Sequence, residues 1–194
     1  MMPTKAATEK QRSGRQLGVG CCPLGLLLVS CFPEDDQFSS DPALDLRISV
    51  DTLQFDTLIS GLQHPTRRFT VVNPHRVALR VGPIYLGRGA ASAYQVVVNG
   101  RNLETSLNTD LLAGDSMLVL VSVFIPPQDT DEAYDQRDSL IFTTNGNRQE
   151  VKLRAWGQDV RLLTDSVLAC GTVLSGQRPY RITRSIRVDS GCVL

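Results

Sequence analysis

The chain has 194 residues, of which 42% are hydrophobic and 21% charged. That is enough for one ordinary domain with appendages and enough apolar side chain to bury a core. Twenty basic residues balance twenty acidic ones, which excludes the global basic field of a nucleic-acid binder. The charge is nevertheless unevenly placed. Lys5, Lys10, Arg12 and Arg15 precede an oily run, whereas Glu34, Asp35, Asp36, Asp41, Asp45, Asp51 and Asp56 follow it with only Arg47 between them.

Residues 1–16 are polar and basic, and Leu17 to Val29 is an uncharged, mostly apolar stretch. It is too short to cross a bilayer as a helix, which takes roughly 20 residues. Gly18, Gly20, Pro23 and Gly25 also argue against a buried helix. A basic start, a short apolar middle and a small residue before the cut predict a secretory signal peptide over residues 1–30. Leu28-Val29-Ser30-Cys31 resembles a bacterial lipobox. The resemblance implies cleavage before Cys31 and a thioether-linked diacylglycerol on it, and two or more acyl chains give durable anchoring. The "PEDD" after Cys31 resembles the export tag of Gram-negative bacteria that display lipoproteins on the outer face of the outer membrane. It implies a surface-exposed chain held to the outer membrane by its N-terminal lipid.

Residues 31–45 lack periodicity, are rich in Pro, Ser and Asp, and read as a flexible acidic tether. From Leu46 the pattern is that of strands. "TLQFDTL" alternates about Leu53 and Phe55, "RRFTVVN" closes at Asn73-Pro74, and "VALRVGPIYL" is interrupted by Gly82-Pro83, suggesting a bulge or a bend at an edge. "YQVVVNG" ends in a turn, and "MLVLVSVFI" is apolar on both faces, as suits a central strand. "DSLIFT" and "RQEVKLRAW" flank Asn145-Gly146, a hairpin signal, with Leu140, Phe142, Val151, Leu153 and Ala155 inward and Glu150, Lys152 and Arg154 toward water. About seven short strands without a helical period predict an all-β fold, an antiparallel β-sandwich over residues 46–160.

"FTVVNPHRVALRVGPIYL", "LLAGDSMLVLVSVFI" and "DSLIFTTNGNRQEVKLRAWGQD" resemble the N-terminal immunoglobulin-like domain of certain Gram-negative surface lipoproteins. That domain is itself similar to the ASH and sperm-protein type of sandwich. The resemblance lies in strand order and turn residues and carries no catalytic motif. Such sandwiches often precede a right-handed parallel β-helix, and "YRITRSIRVDSGCVL" resembles its opening strand. Residues 161–194 are therefore expected to be a β extension, the start of a truncated β-helix. The implied function is a non-catalytic spacer, docking or adhesion module with a surface protein or a glycan as partner. The alternative is the N-terminal part of a carbohydrate-binding or carbohydrate-active β-helix protein.

The sequence offers little that could carry out chemistry. Gly114-Asp115-Ser116-Met117 resembles the nucleophile block of GDSL-type hydrolases, but His64 and His75 both precede it, whereas that chemistry takes its base from a later histidine. Two histidines beside prolines, eleven residues apart, match no zinc pattern. "QDTDEAYDQRD" lacks the glycine and terminal glutamate of a calcium loop and reads as a solvated acidic loop. "YLGRGAAS" opens no helix that would seat a phosphate, and "RPYRITRSIR" has no aromatic platform for single-stranded nucleic acid. Trp156 is expected in the core or as an end cap. No catalytic residue, metal or cofactor is expected. With Cys21 and Cys22 leaving in the signal peptide and Cys31 lipidated, Cys170 and Cys192 are the remaining thiols. In an oxidising compartment they form a disulfide, or else they are small core residues of the extension.

Overall fold

Residues 37–193 are described by the computed structural model. The expected signal peptide, Cys31 and the first residues of the tether lie outside them. Ten strands form two facing sheets: β1 (Arg47–Ile48), β2 (Thr52–Ile59), β3 (Arg67–Val72), β4 (Leu79–Leu86), β5 (Tyr94–Val98), β6 (Arg101–Asn102), β7 (Leu107–Leu111), β8 (Ser116–Val123), β9 (Tyr134–Thr144) and β10 (Asn147–Gln158). One sheet runs β1-β3-β8-β5-β6 and the other β2-β10-β9-β4-β7. Alternate residues of each strand turn inward. Val71, Met117, Val119 and Val121 from the first sheet meet Leu79, Ile84, Leu140, Phe142 and Leu153 from the second in one buried core. The protein is an immunoglobulin-like β-sandwich.

The sandwich has ten strands among the described residues where the sequence pattern gives about seven. The additional ones are the two-residue β1 and β6 and the polar β7, "LNTDL". The sheets are not wholly antiparallel either, since β2 pairs parallel with β10, Leu53 lying beside Leu153. No hairpin joins these two strands, so no turn dictates their direction. β8 is central in its sheet as expected. Its outer face is not buried, however: Leu118 is 43% exposed and Phe124 just beyond it 47%.

Gly82-Pro83 makes a one-residue bulge against both neighbours, with Val81 and Ile84 paired to Thr144 and Phe142 of β9 and to Thr109 and Leu107 of β7. It lies inside the sheet and not at an edge; the bulge removes the ladder position at which the missing proline N–H would be needed. The β9–β10 hairpin turns at Asn145 (φ 51°) and Gly146 (φ 85°), the left-handed pair a two-residue turn of this kind requires.

The stretch expected to be a flexible tether is held from residue 37 onward. Ser39 N–H donates to the Ala78 carbonyl (3.0 Å) and Ala78 N–H to that of Gln37 (2.9 Å). Asn145 Nδ2 donates to the Asp41 carbonyl (2.9 Å), and Asn147 Nδ2 donates to that of Pro42. Gln149 donates to the Leu46 carbonyl (2.9 Å) and accepts from its N–H (3.0 Å). Side-chain amides of the hairpin thus satisfy a backbone that has no ladder of its own, which composition does not reveal.

Beyond β10 the chain forms a separate two-stranded parallel sheet, β11 (Arg161–Leu168) and β12 (Tyr180–Val188). The register sets Leu163 beside Ile182 and Thr164 beside Thr183, whose hydroxyls hydrogen-bond at 2.5 Å. Both strands break step at a left-handed residue, Asp165 (φ 44°) and Arg184 (φ 71°), and the two form an ion pair at 3.1 Å. The expected single opening strand is therefore the second of two stacked strands. Cys170 and Cys192 are joined by a disulfide, with their Cα atoms 4.8 Å apart, and Gly171 N–H donates to the Val193 carbonyl nearby (3.1 Å).

Candidate functional site

The densest polar arrangement in the described residues lies where β10 ends and the extension begins. Asp159 follows β10 directly and is only 3% exposed. Its Oδ1 accepts from the Ser60 hydroxyl (2.5 Å) and the Tyr134 hydroxyl (3.1 Å), and its Oδ2 from the N–H groups of Gln128 and Thr130 (3.0 Å each). Burial alone would raise the pKa of such a carboxylic acid, but these hydrogen bonds to its charged form outweigh that and bring it down to about 2. Asp159 remains ionised and its oxygens are occupied. It acts as a strut between the ends of β2 and β10 and the loop before β9, not as a base.

Arg178, from the segment joining β11 to β12, reaches the same loop. Its Nε donates to Asp131 (2.7 Å) and its Nη1 to Asp129 (2.8 Å). The loop expected to be solvated therefore clamps the extension. Two of its other acids are engaged as well: Asp135 takes Arg137 and Arg154, and Asp138 Oδ1 accepts from Arg88 N–H (3.0 Å). Arg137 first and Arg154 next hold the Asp135 carboxyl below its usual range, against partial desolvation. No group of three or more His, Cys, Asp or Glu side chains is placed to hold a metal among the described residues. A cleft of about 350 Å³ opens beside the clamp, lined by Leu62, Pro127, Asp159, Leu162, Arg178 and Arg181.

The other candidate residues of the sequence occupy plain structural positions. Gly114 (φ 71°) sits in the turn before β8, where Ser116 starts the strand. His75 Nε2 bonds the Asp45 carbonyl (2.9 Å) and His64 Nε2 that of Ile59 (2.8 Å). "YLGRGAAS" closes β4 and makes one 3-10 turn, Gly89–Ala91. Trp156 corrects an expectation, since it is neither core nor cap. With Val151, Leu153 and Ala155 inward, strand alternation turns Trp156 to the outer face, half-buried, with the Arg154 guanidinium 4.4 Å above its ring. Cys31 lies outside the described residues. Cys170 and Cys192 lie past the ends of β11 and β12, apart from the Asp159 clamp.

Sequence reading missed Asp159, Ser60 and the pairing role of Arg178. The one local cue was an aspartate immediately after the last alternating residue of β10; the partners come from distant segments.

No protein-family model and no curated protein sequence matches this chain. Among solved structures it is similar to the ASH/PapD-like domain of human CEP192, at 12% identity and TM-score 0.40, covering 68% of this chain and 94% of that one. It is also similar to the CooA pilin subunit from enterotoxigenic Escherichia coli, at 14% identity and TM-score 0.37, covering 59% and 96%. A third likeness is to a family 123 glycoside hydrolase from Clostridium perfringens, at 7% identity and TM-score 0.42, covering 61% of this chain and 26% of the hydrolase. These likenesses assign no activity; the fold assignment rests on the strand order and the core.

Proposed function

We propose that this protein is a non-catalytic spacer and docking module, anchored through lipid on Cys31 to the outer membrane and displayed at the cell surface. The observation that carries the reading is the polarity of β10. The N-terminal segment is held at the Asn145–Asn147 end of the hairpin, and the extension leaves from Gln158 at the other end of the same strand. Twelve residues of strand separate the two by about 36 Å at ~3.3 Å per residue. A module held at one pole and continued at the other sets whatever it carries away from its anchor. The lipobox-like Leu28 to Cys31 and the change of charge sign around it support the anchor.

The test is metabolic labelling with palmitate, followed by protease treatment of intact cells carrying a C-terminally tagged copy. Label in the wild type but not in Cys31→Ser, with the tag removed by external protease, supports the reading. Label persisting in Cys31→Ser, or absent from the wild type, overturns the anchor.

A second reading is favoured by the extension. The parallel β11–β12 pair, one strand stacked on another about nineteen residues later, has the geometry of successive coils in a β-solenoid. It supports a protein in which the sandwich precedes a carbohydrate-binding or carbohydrate-active β-helix. A reading frame that encodes further coils favours this reading, and a stop codon directly after Leu194 opposes it.

A further inference from the structure

Seven of the eleven exposed large apolar residues among the described residues lie in the extension, including Leu162, Val167, Ile182 and Val188. The sandwich, with a larger share of the chain, leaves far fewer. A parallel sheet is ordinarily covered on both faces, and two strands alone are marginal in water. One edge of β12 pairs with β11, and the other has no strand partner among the described residues.

The charge on that strand is one-sided. Residues 161–193 hold five arginines and two aspartates. Arg178 is committed to Asp129 and Asp131, and Arg184 to Asp165. Arg181 and Arg187 are in no ion pair among the described residues. The register sets them beside the exposed Leu162 and Val167, with Thr183 between them along the strand.

The geometry points to the free edge of β12 as a docking edge for an extended acidic segment of a partner protein, added as a third parallel strand. This deepens the docking reading proposed above, rests on it, and is exclusive of the solenoid reading, in which the next coil of this chain takes the same edge. Backbone groups of the incoming strand complete the ladder, and alternating side chains give specificity. Opposite charges side by side are favourable, so the positions beside Arg181 and Arg187 are acidic. Those beside Ile182, Ile186 and Val188 are apolar, and the position beside Thr183 is small and polar. A second copy of this chain fits poorly. Antiparallel pairing of β12 with itself about Arg184 sets Arg181 against Arg187, like charges directly opposite.

The test is a titration of the full chain with a fluorescein-labelled octapeptide, Glu-Val-Thr-Gly-Gly-Val-Glu-Val, whose order follows residues 181–188. Its counterpart carries Lys in place of both Glu. Saturable binding of the acidic peptide is expected, weakening as salt rises from about 50 to about 300 mM. It falls at least about tenfold in Arg181→Glu/Arg187→Glu, a variant that in turn takes up the Lys peptide. Arg148→Glu, near the far pole of the sandwich, leaves it unchanged. Slowed hydrogen exchange at β12 amides on peptide addition completes the support. Four results overturn the proposal: no binding, equal binding of both peptides, protection away from β12, or protection, before peptide is added, of the β12 amides that face away from β11, which marks the edge as covered by this chain or a second copy. A negative palmitate result leaves this titration standing, so the anchor reading and the docking edge fail separately.

Discussion

The Ser60 hydroxyl donates to Asp159 Oδ1 at 2.5 Å, across 99 residues of sequence. This contact ties the end of β2 to the end of β10 at the place where their parallel pairing stops. Oδ2 meanwhile holds Gln128 and Thr130, so one carboxylate fixes three separate segments. Tyr134 adds its hydroxyl, shared with the Pro126 carbonyl (2.7 Å).

Acid should loosen this junction in a definite window. The Asp159 pKa is about 2 in the folded chain against an ordinary value of 3.8. A depressed carboxylate contributes stability that is complete above its unfolded pKa and is lost as pH falls through the folded one. Asp159 therefore contributes up to roughly 2 kcal/mol above about pH 4, lost between about pH 4 and pH 2. Asp135 and Asp165 are also lowered, each first by its arginine partner, and act in the same direction, although exposure to solvent weakens them. Urea unfolding at pH 7, 4, 3 and 2 should show a shallower acid decline in Asp159→Asn than in the wild type. Parallel declines would remove Asp159 from this role.

Asn73 is the matching case without charge. Fully buried, it donates through Nδ2 to the carbonyls of Val77 (2.8 Å), Leu111 (3.0 Å) and Leu112 (2.9 Å). Its Oδ1 accepts from His75 N–H (3.0 Å). Asn73→Ala leaves these backbone groups without their partner, and buried orphans cost about 1–3 kcal/mol each. A loss of about 2–4 kcal/mol in the denaturant-derived stability is expected. Asn73→Asp should also be severe, since it sets a carboxylate oxygen against three carbonyls.

These residues mark the limit of what the sequence discloses. Asn145-Gly146 was legible because turn chemistry is local: two residues must accept positive φ, and few residue types do so readily. The buried faces of β8, β9 and β10 were legible because alternation is periodic. β7 was not, because Asn108, Thr109 and Asp110 give "LNTDL" no strand signature and its pairing with β4 supplies one only in the fold. β11 was hidden by Asp165, whose left-handed bulge breaks the alternation. Asp159, Asn73 and Arg178 were invisible as site residues because the same side chains in the same local contexts serve equally well in water. Only partners from distant segments distinguish them.

The hairpin turn gives a prediction limited to the backbone. Gly146 has φ 85°, and a Cβ added there would meet nothing within 4 Å. The first side-chain carbon of Gly146→Val is therefore unobstructed, and the main cost is that of forcing a β-branched residue into the left-handed region, about 1–3 kcal/mol. The same turn supplies Asn145 and Asn147 to the N-terminal segment, so hydrogen exchange at Ser39 should quicken along with that of the turn. An unchanged urea midpoint would contradict this account of the turn.

The extension is the part of the protein with least support from burial, and its disulfide is the obvious restraint. Cys170 and Cys192 are separated by 22 residues, and closing such a loop stabilises by roughly 3 kcal/mol on the chain-entropy view. The loop contains the whole of β12 and Arg178, so the bond and the Asp129–Arg178–Asp131 clamp restrain the same segment from its two ends. Cys170→Ser/Cys192→Ser should leave the sandwich core intact, because none of its buried residues lies beyond Ala155. Amide exchange in β11 and β12 should rise by about a hundredfold, the equivalent of that stabilisation less what the clamp retains. Adding Arg178→Ala to the double variant should release the remainder and bring β12 amides to the exchange rate of an unfolded chain. Two free thiols at these positions in unreduced protein would refute the bond, and equal exchange in wild type and variant would show that it restrains nothing.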